Sequence, residues 1–187
     1  MHENKMNSCC TQPVEVIAAD RHKSGEDCCL VTEKTPAPVK AACPISGTLS
    51  RKVQHRTLEH VLKPAKRGYI RDVQYYFCNE PVCRIVYFSN EENVPVFSID
   101  DLTVKVFVKD QGDEVPICYC FDWTRGRIKR QIKETRKGLP PGQSSASLEI
   151  AREIKAGNCA CDVKNPKGEC CLGEVNTFVK ETKEMLS

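Results

Sequence analysis

The chain has 187 residues, 40% of them hydrophobic and 6% aromatic, and a formal net charge of +3. That length supports one domain or two small ones. The longest apolar runs, such as Ile85–Phe88, fall far short of the ~20 residues of a spanning helix, so no membrane insertion is expected. So small a net charge gives no argument for nucleic acid. Cysteine is the outlier: there are 13, an odd number that excludes complete internal pairing. Met1-His2-Glu3-Asn4-Lys5 opens into polar residues and not an apolar leader, so a cytoplasmic location is expected. Close-set cysteines in that compartment point to metal more than to disulfides.

In chain order, residues 1–42 lack a periodic apolar pattern and read as a flexible, disordered tail carrying two vicinal pairs, Cys9-Cys10 and Cys28-Cys29. Those pairs are either incidental thiols or a capture arm for soft ions. From Cys43 to about Lys109 the pattern is β-rich. Tyr75-Tyr76-Phe77, Arg84–Ser89 and Leu102–Val108 have the β-branched and aromatic content of strands. Thr57–Lys63 predicts a short helix stopped by Pro64 and Gly68. Past Pro116 the signals turn helical. Thr124 can cap a helix through Lys137 with Ile128 and Ile132 on one face. Ser144 or Ser145 can cap a second helix through Ala156, with Gly157 as its stop. Glu174 to about Leu186 makes a third, burying Val175, Phe178 and Val179. The expectation is an α+β chain: a tail over 1–42, a small β-rich module over 43–112 and a three-helix module over 113–187.

The helical half carries Cys118-Tyr119-Cys120, then Cys161 and Cys171, with Cys159 and Cys170 beside them. A C-x-C can hold one iron and a distant pair a second, and four thiolates are what a [2Fe-2S] cluster needs. Both pairs lead into predicted helix starts, whose free N–H groups suit a negative cluster. The same residues could form a structural zinc site, which their spacing alone favours.

Three motifs resemble a known family. They are Cys78-Asn-Glu-Pro-Val-Cys83 within its aromatic flanks, Ile-Cys118-Tyr-Cys120-Phe, and Cys161-Asp-Val-Lys-Asn165-Pro166-Lys-Gly168-Glu-Cys170-Cys171. Together, over residues 43 to about 180, they resemble the amino-terminal domain of CopZ-type copper chaperones, related in its second half to bacterioferritin-associated ferredoxin. The resemblance implies a [2Fe-2S] cluster on Cys118, Cys120, Cys161 and Cys171, with the Asn165-Pro-x-Gly168 turn as the anchor for Cys161. It leaves Cys159 and Cys170 as spare thiols, either of which would replace a ligand if the loop alignment slips. It also implies zinc on Cys43, Cys78 and Cys83. Here the sequence departs from the family, because the usual Cys-Pro-x-Cys reads Cys43-Pro44-Ile45-Ser46. Structural zinc has four protein ligands as a rule, so His55, His60 or a tail cysteine is needed to complete the set. Three thiolates would staple a small β module that otherwise lacks one.

The helix after Thr124 bears Arg125, Arg127, Lys129, Arg130, Lys133, Arg136 and Lys137 against Glu134. It reads either as a solvated face or as a docking face for an acidic redox partner. Neither the Met-x-Cys-x-x-Cys copper loop of the family's ferredoxin-like second domain nor any C-x-x-C occurs within these 187 residues. The expected function is an iron-sulfur and zinc-binding metallochaperone that reduces Cu(II), binds copper(I) and works with a metal-transporting ATPase or separate carrier and a redox donor. The alternatives are a small [2Fe-2S] electron-transfer protein serving an iron store, and a zinc protein that scaffolds other proteins.

Overall fold

A computed structural model describes residues 36–136 and 146–186. Cys9-Cys10, Cys28-Cys29 and the Ser144 or Ser145 cap lie outside the described residues. Five short strands form an antiparallel meander in the order β1 (Lys40–Ala42), β2 (Leu49–Val53), β3 (Tyr75–Phe77), β4 (Ile85–Phe88) and β5 (Phe97–Ser98). Aromatic residues decide how this sheet buries its faces. Because side chains alternate along a strand, Tyr75 and Phe77 join Val53, Leu58, Val61, Leu62, Tyr87 and Phe97 in one core. Tyr76 turns the other way and packs with Ala41, Ile85, Phe88 and the cysteines 43, 78 and 83. Tyr76 lies opposite Phe88 across the β3–β4 ladder, and their rings stack at 5.7 Å. Such cross-strand pairs contribute roughly 0.2–1 kcal/mol each.

Two short helices follow β2. Helix α1 (His55–Val61) buries Thr57, Leu58 and Val61 against the sheet. Pro64, expected only as a stop, opens α2 (Pro64–Arg67) instead; its missing N–H costs nothing at a first helical position. The expected strand over Leu102–Val108 does not form. Leu102 and Val106 are buried as their apolarity demands, but the backbone there finds partners other than a neighbouring strand. Leu102 makes one isolated bridge to Leu62. Thr103 donates both its N–H (2.8 Å) and its hydroxyl (2.9 Å) to the Val61 carbonyl at the end of α1. The Val106 N–H donates to Asp110 Oδ2 at 2.7 Å.

Beyond this irregular segment, the hairpin β6 (Pro116–Cys118) and β7 (Trp123–Thr124) leads into α3 (Arg125–Arg136). Thr124 caps α3 as expected, accepting the Arg127 N–H at 3.2 Å. Helices α4 (Ala146–Lys155), α5 (Cys161–Lys164) and α6 (Leu172–Met185) complete the chain, so the described residues form a mixed α and β fold with an antiparallel sheet. Gly157 ends α4 with φ +79°, and Gly157 and Asn158 donate their N–H groups back to Ile154 and Glu153. Ile128, Ile132, Ala146, Ile150, Val175, Phe178 and Val179 form the helical core. Helix α6 starts two residues before Glu174, directly after Cys171. The α5 turn was not expected, since four residues carry no helical period.

Helix α5 lies against α1, and the loop after it is clasped to the sheet. Thr57 Oγ1 donates to the Asp162 carbonyl at 2.6 Å, and Tyr87 Oη to the Pro166 carbonyl at 2.7 Å. Gly168 has φ +68°, and a Cβ there would meet Val53 Cγ2 at 3.2 Å and Thr57 Oγ1 at 3.3 Å. Only glycine satisfies both the backbone angle and that approach.

Candidate metal centres

The first centre sits on the Tyr76 face of the sheet. Cys43 follows β1, Cys78 follows β3, and Cys83 precedes β4, so three strands of one sheet deliver the three thiols. All three are buried, and their sulfurs lie within 4.8 Å of one another. Thiolates held about 2.3 Å from a tetrahedral zinc stand about 3.8 Å apart, and Cys43 Sγ and Cys83 Sγ are 3.9 Å apart. The donor set therefore fits a thiophilic divalent ion. Burial pushes the Cys43 thiol up, but hydrogen bonds from the Ser46 hydroxyl, the Ser46 and Ile45 backbone and Cys78 outweigh it and bring the group to about 7. Cys78 is raised, chiefly by burial, against hydrogen bonds from Ser46 and the Glu80 backbone and the charge of Lys109.

The histidines considered as completing ligands do not join. Among the described residues, no histidine, aspartate or glutamate belongs to the group of three thiols. His55 Nε2 contacts the Val73 carbonyl at 2.5 Å, and its ring stands edge-on to Tyr75. His60 is exposed on α1. The residue that does approach is Ser46, with Oγ 3.5 Å from Cys78 Sγ. Sequence reasoning saw it only as a missing cysteine. Lys109 was missed altogether: its ammonium donates to the carbonyls of Glu80 (2.7 Å) and Cys83 (2.8 Å) and so pins the loop between Cys78 and Cys83.

The second centre gathers five cysteines. Cys118 ends β6, Cys120 lies in the following turn, Cys161 opens α5, and Cys171 is the N-cap of α6. Cys161 Sγ lies 3.6 Å from Cys120 Sγ and 4.0 Å from Cys171 Sγ, and Cys171 hydrogen bonds in turn to Cys118. Cys159, expected as a spare thiol, stands 3.3 Å from Cys161 Sγ and shares a close group with Cys120 and Cys161. Cys170 is exposed. Hydrogen bonds divide the thiols into two kinds. Cys161 is held far below the ordinary thiol range by its hydrogen bonds with Cys120 and Cys171, and Cys118 is brought to about 7 by its hydrogen bond with Cys171, both against burial. Cys120 and Cys171 are pushed up by those same bonds and by burial. Thiolates are the metal-binding form. The Ala160 N–H donates to Cys120 Sγ at 3.3 Å, and Cys171, as the N-cap of α6, stands at the helix end where free N–H groups and the positive dipole end lie.

The Cys118-Tyr119-Cys120 turn is itself anchored. Tyr119 Oη accepts the Phe107 N–H at 3.0 Å and donates to the Lys105 carbonyl at 2.9 Å. The basic helix α3 contributes here in a way its sequence hides. Arg125 is only 9% exposed, donates to the Phe107 (2.6 Å) and Asp110 (3.0 Å) carbonyls, and lies over the Phe107 ring. Arg127 covers Trp123 at 3.8 Å, and Lys129 pairs with Asp113 at 2.6 Å. Three cations of the expected docking face are thus engaged within the fold, whereas Arg130 and Lys133 remain exposed.

No helix among the described residues is long and apolar enough to cross a membrane. Comparison with known proteins agrees with the sheet's architecture. A family model described as a zinc binding domain, of the CopZ type, matches residues 40–103. The copper chaperone CopZ of Archaeoglobus fulgidus is 32% identical over 99 residues, covering 52% of this chain and 42% of that relative. The match thus spans about two fifths of the curated relative's length. The X-ray structure of the A. fulgidus CopZ N-terminal domain superposes with a TM-score of 0.57 at 24% identity, over 74% of this chain and 97% of that one. The stretch matched by the zinc binding family model, residues 40–103, contains Cys43, Cys78 and Cys83.

Proposed function

We propose that this chain is a soft-metal chaperone acting in copper handling, with zinc held by Cys43, Cys78 and Cys83 and a [2Fe-2S] cluster held by Cys118, Cys120, Cys161 and Cys171. Residues 43–112 and 113–187 would be the zinc module and the three-helix, ferredoxin-like cluster module. The observation that carries this reading is the continuous run of thiol contacts from Cys118 through Cys171 and Cys161 to Cys120, built from three separate chain segments. When bound, such a cluster supplies a one-electron couple, of low potential with thiolate ligands alone, suited to reducing Cu(II) to Cu(I). The protein's own groups prepare the site. Cys161 and Cys118 are poised as thiolates, the α6 N-terminus and the Ala160 N–H face the negative charge, and Tyr119 fixes the C-x-C turn. Soft thiolates prefer Cu(I) to Cu(II), so the half-buried Cys159 beside this centre favours the reduced cargo ion. The redox donor would be a separate protein, and the recipient a metal-transporting ATPase or separate carrier in the cytoplasm.

The test is to purify the chain anaerobically, record its visible spectrum and measure iron. Reduced protein, freed of reductant, is then given Cu(II) with a Cu(I)-specific chelator present. One Cu(I) per cluster, with return of the oxidised bands, is expected. Equal yield from the Cys118→Ser, Cys120→Ser variant would remove copper reduction from the cluster and leave the small electron-transfer protein as the reading. A second reading rests on the close group Cys120, Cys159 and Cys161, which suits a mononuclear soft ion. A colourless, iron-free protein carrying metal at that group would favour it.

A further inference from the structure

We propose that the Ser46 hydroxyl is the fourth ligand of the zinc centre, and that it makes this centre an exchanging site in place of a closed all-thiolate staple. The inference rests on the zinc reading of Cys43, Cys78 and Cys83 and concerns the corner of the site where this chain departs from four cysteines.

Geometry places the hydroxyl at that corner. A tetrahedral zinc with sulfur at about 2.3 Å and oxygen at about 2.0 Å separates the two donors by about 3.5 Å. Ser46 Oγ lies 3.5 Å from Cys78 Sγ and hydrogen bonds to Cys43 as well, so it faces two of the three thiols at once. The turn that presents it is fixed. The Cys43 N–H donates to the Thr48 carbonyl at 3.0 Å and the Gly47 N–H to the Cys43 carbonyl at 2.8 Å, which brings residues 43 and 46 to the same side. The Thr48 N–H approaches Ser46 Oγ at 3.4 Å. No competing carboxylate or imidazole among the described residues belongs to the group.

Chemistry gives that corner its character. A serine hydroxyl is a hard, weak donor beside three soft thiolates. Three strong donors with one weak or open position are the arrangement of zinc sites that exchange their fourth ligand, whereas four thiolates close the shell. Access follows the same division. Cys78 is fully buried, while Pro44, Ile45 and Gly47 around Ser46 are exposed, Ile45 by 74%. Water and incoming ligands therefore reach the zinc from the Ser46 side.

The test uses the full-length chain as purified with zinc, read by X-ray absorption at the zinc edge, which is blind to iron. The expected shell is three sulfurs and one oxygen in the wild type, and four sulfurs in Ser46→Cys. Exchange of bound zinc against an isotopically labelled zinc pool should slow at least about tenfold in Ser46→Cys and quicken in Ser46→Ala. Four sulfurs in the wild type, or the outer-shell scattering of an imidazole, would overturn the proposal, because a residue other than Ser46 then fills the corner. So would a Ser46→Ala protein with unchanged shell and exchange rate, since the oxygen is then water. So would a Ser46→Cys protein that keeps an oxygen. Zinc that survives the Cys78→Ser, Cys83→Ser pair would instead overturn the underlying zinc reading, with Ser46 falling along with it.

Discussion

The two thiol centres use one residue type to opposite ends. The sheet centre takes its three buried cysteines from the ends of β1, β3 and β4, with the hydroxyl of a surface turn beside them. The helical centre draws on a hairpin turn and two helix starts, brings five thiols together, and has helix N–H groups beside its charge. Strand ends are close because the ladder makes them so, and the first centre needs little more than a formed sheet. Helix starts converge only after distant packing is complete. A cysteine count alone therefore says little about a site. The elements that deliver the thiols decide how many arrive and which charges meet them.

Single-ligand variants should separate the centres most sharply. Cys161→Ser is expected to remove iron and visible absorption and leave zinc in place, and Cys83→Ser to do the reverse. Metal analysis of both proteins checks this, and parallel loss of both metals from each would merge the centres into one cooperative unit. Lys109→Met comes next. Removing a cation that donates to two carbonyls of the 78–83 loop should cost about 1.5–3 kcal/mol in urea unfolding. Zinc exchange should quicken while the cluster spectrum holds.

Tyr87→Phe probes the clasp from the other side. It strands the Pro166 carbonyl, so a loss of about 1–2 kcal/mol is expected. The thiols of residues 161 and 171 should react faster with an alkylating probe, with zinc unchanged. The smallest effect is on acid sensitivity. Burial pushes the Asp101 carboxyl up, but the Ser98 N–H and hydroxyl and the Lys66 ammonium outweigh it and hold the group below its usual range. Its folded pKa is thus depressed, so its stabilisation is present above the ordinary carboxylate pKa and is lost as pH falls through the lower folded value. Asp101→Asn should flatten that part of the stability curve, and a slope equal to wild type would discount the Lys66–Asp101 pair.

What the sequence made legible follows a physical line. Aromatic alternation marked β3 and β4, Thr124 marked the start of α3, and Gly157 the end of α4, because each signal acts within a few residues. Leu102–Val108 read as a strand because burial and strand formation share the same residue types. Its backbone partners are Val61, Asp110 and Tyr119, none of them visible locally. Arg125 read as surface charge because nothing nearby in sequence says that Phe107 and two carbonyls await it. The grouping of Cys43, Cys78 and Cys83 was implied by the family resemblance and not by any local signal, and the fold brings their sulfurs within 4.8 Å of one another. Cys159 read as a spare thiol or a replacement ligand, and the fold sets it 3.3 Å from Cys161 Sγ, just before a turn, α5, too short to leave a pattern. Ser46 did carry a signal, standing three residues after Cys43 where a fourth donor was wanted.

The clasp between sheet and α5 loop has a consequence in time. Its bonds join residues 105 and 79 positions apart, Thr57 to Asp162 and Tyr87 to Pro166. The first centre closes over separations of 40 and 32. As the chain leaves the ribosome, the strands through Ser98 can pair and gather Cys43, Cys78 and Cys83 while the helical half is still unmade. Cys118 and Cys120 must wait for Cys161 and Cys171, and these find their place only on a sheet that already exists. The order of synthesis thus sets an order of assembly, in which the thiols of residues 43, 78 and 83 meet early and the finished sheet becomes the template on which the later thiols gather.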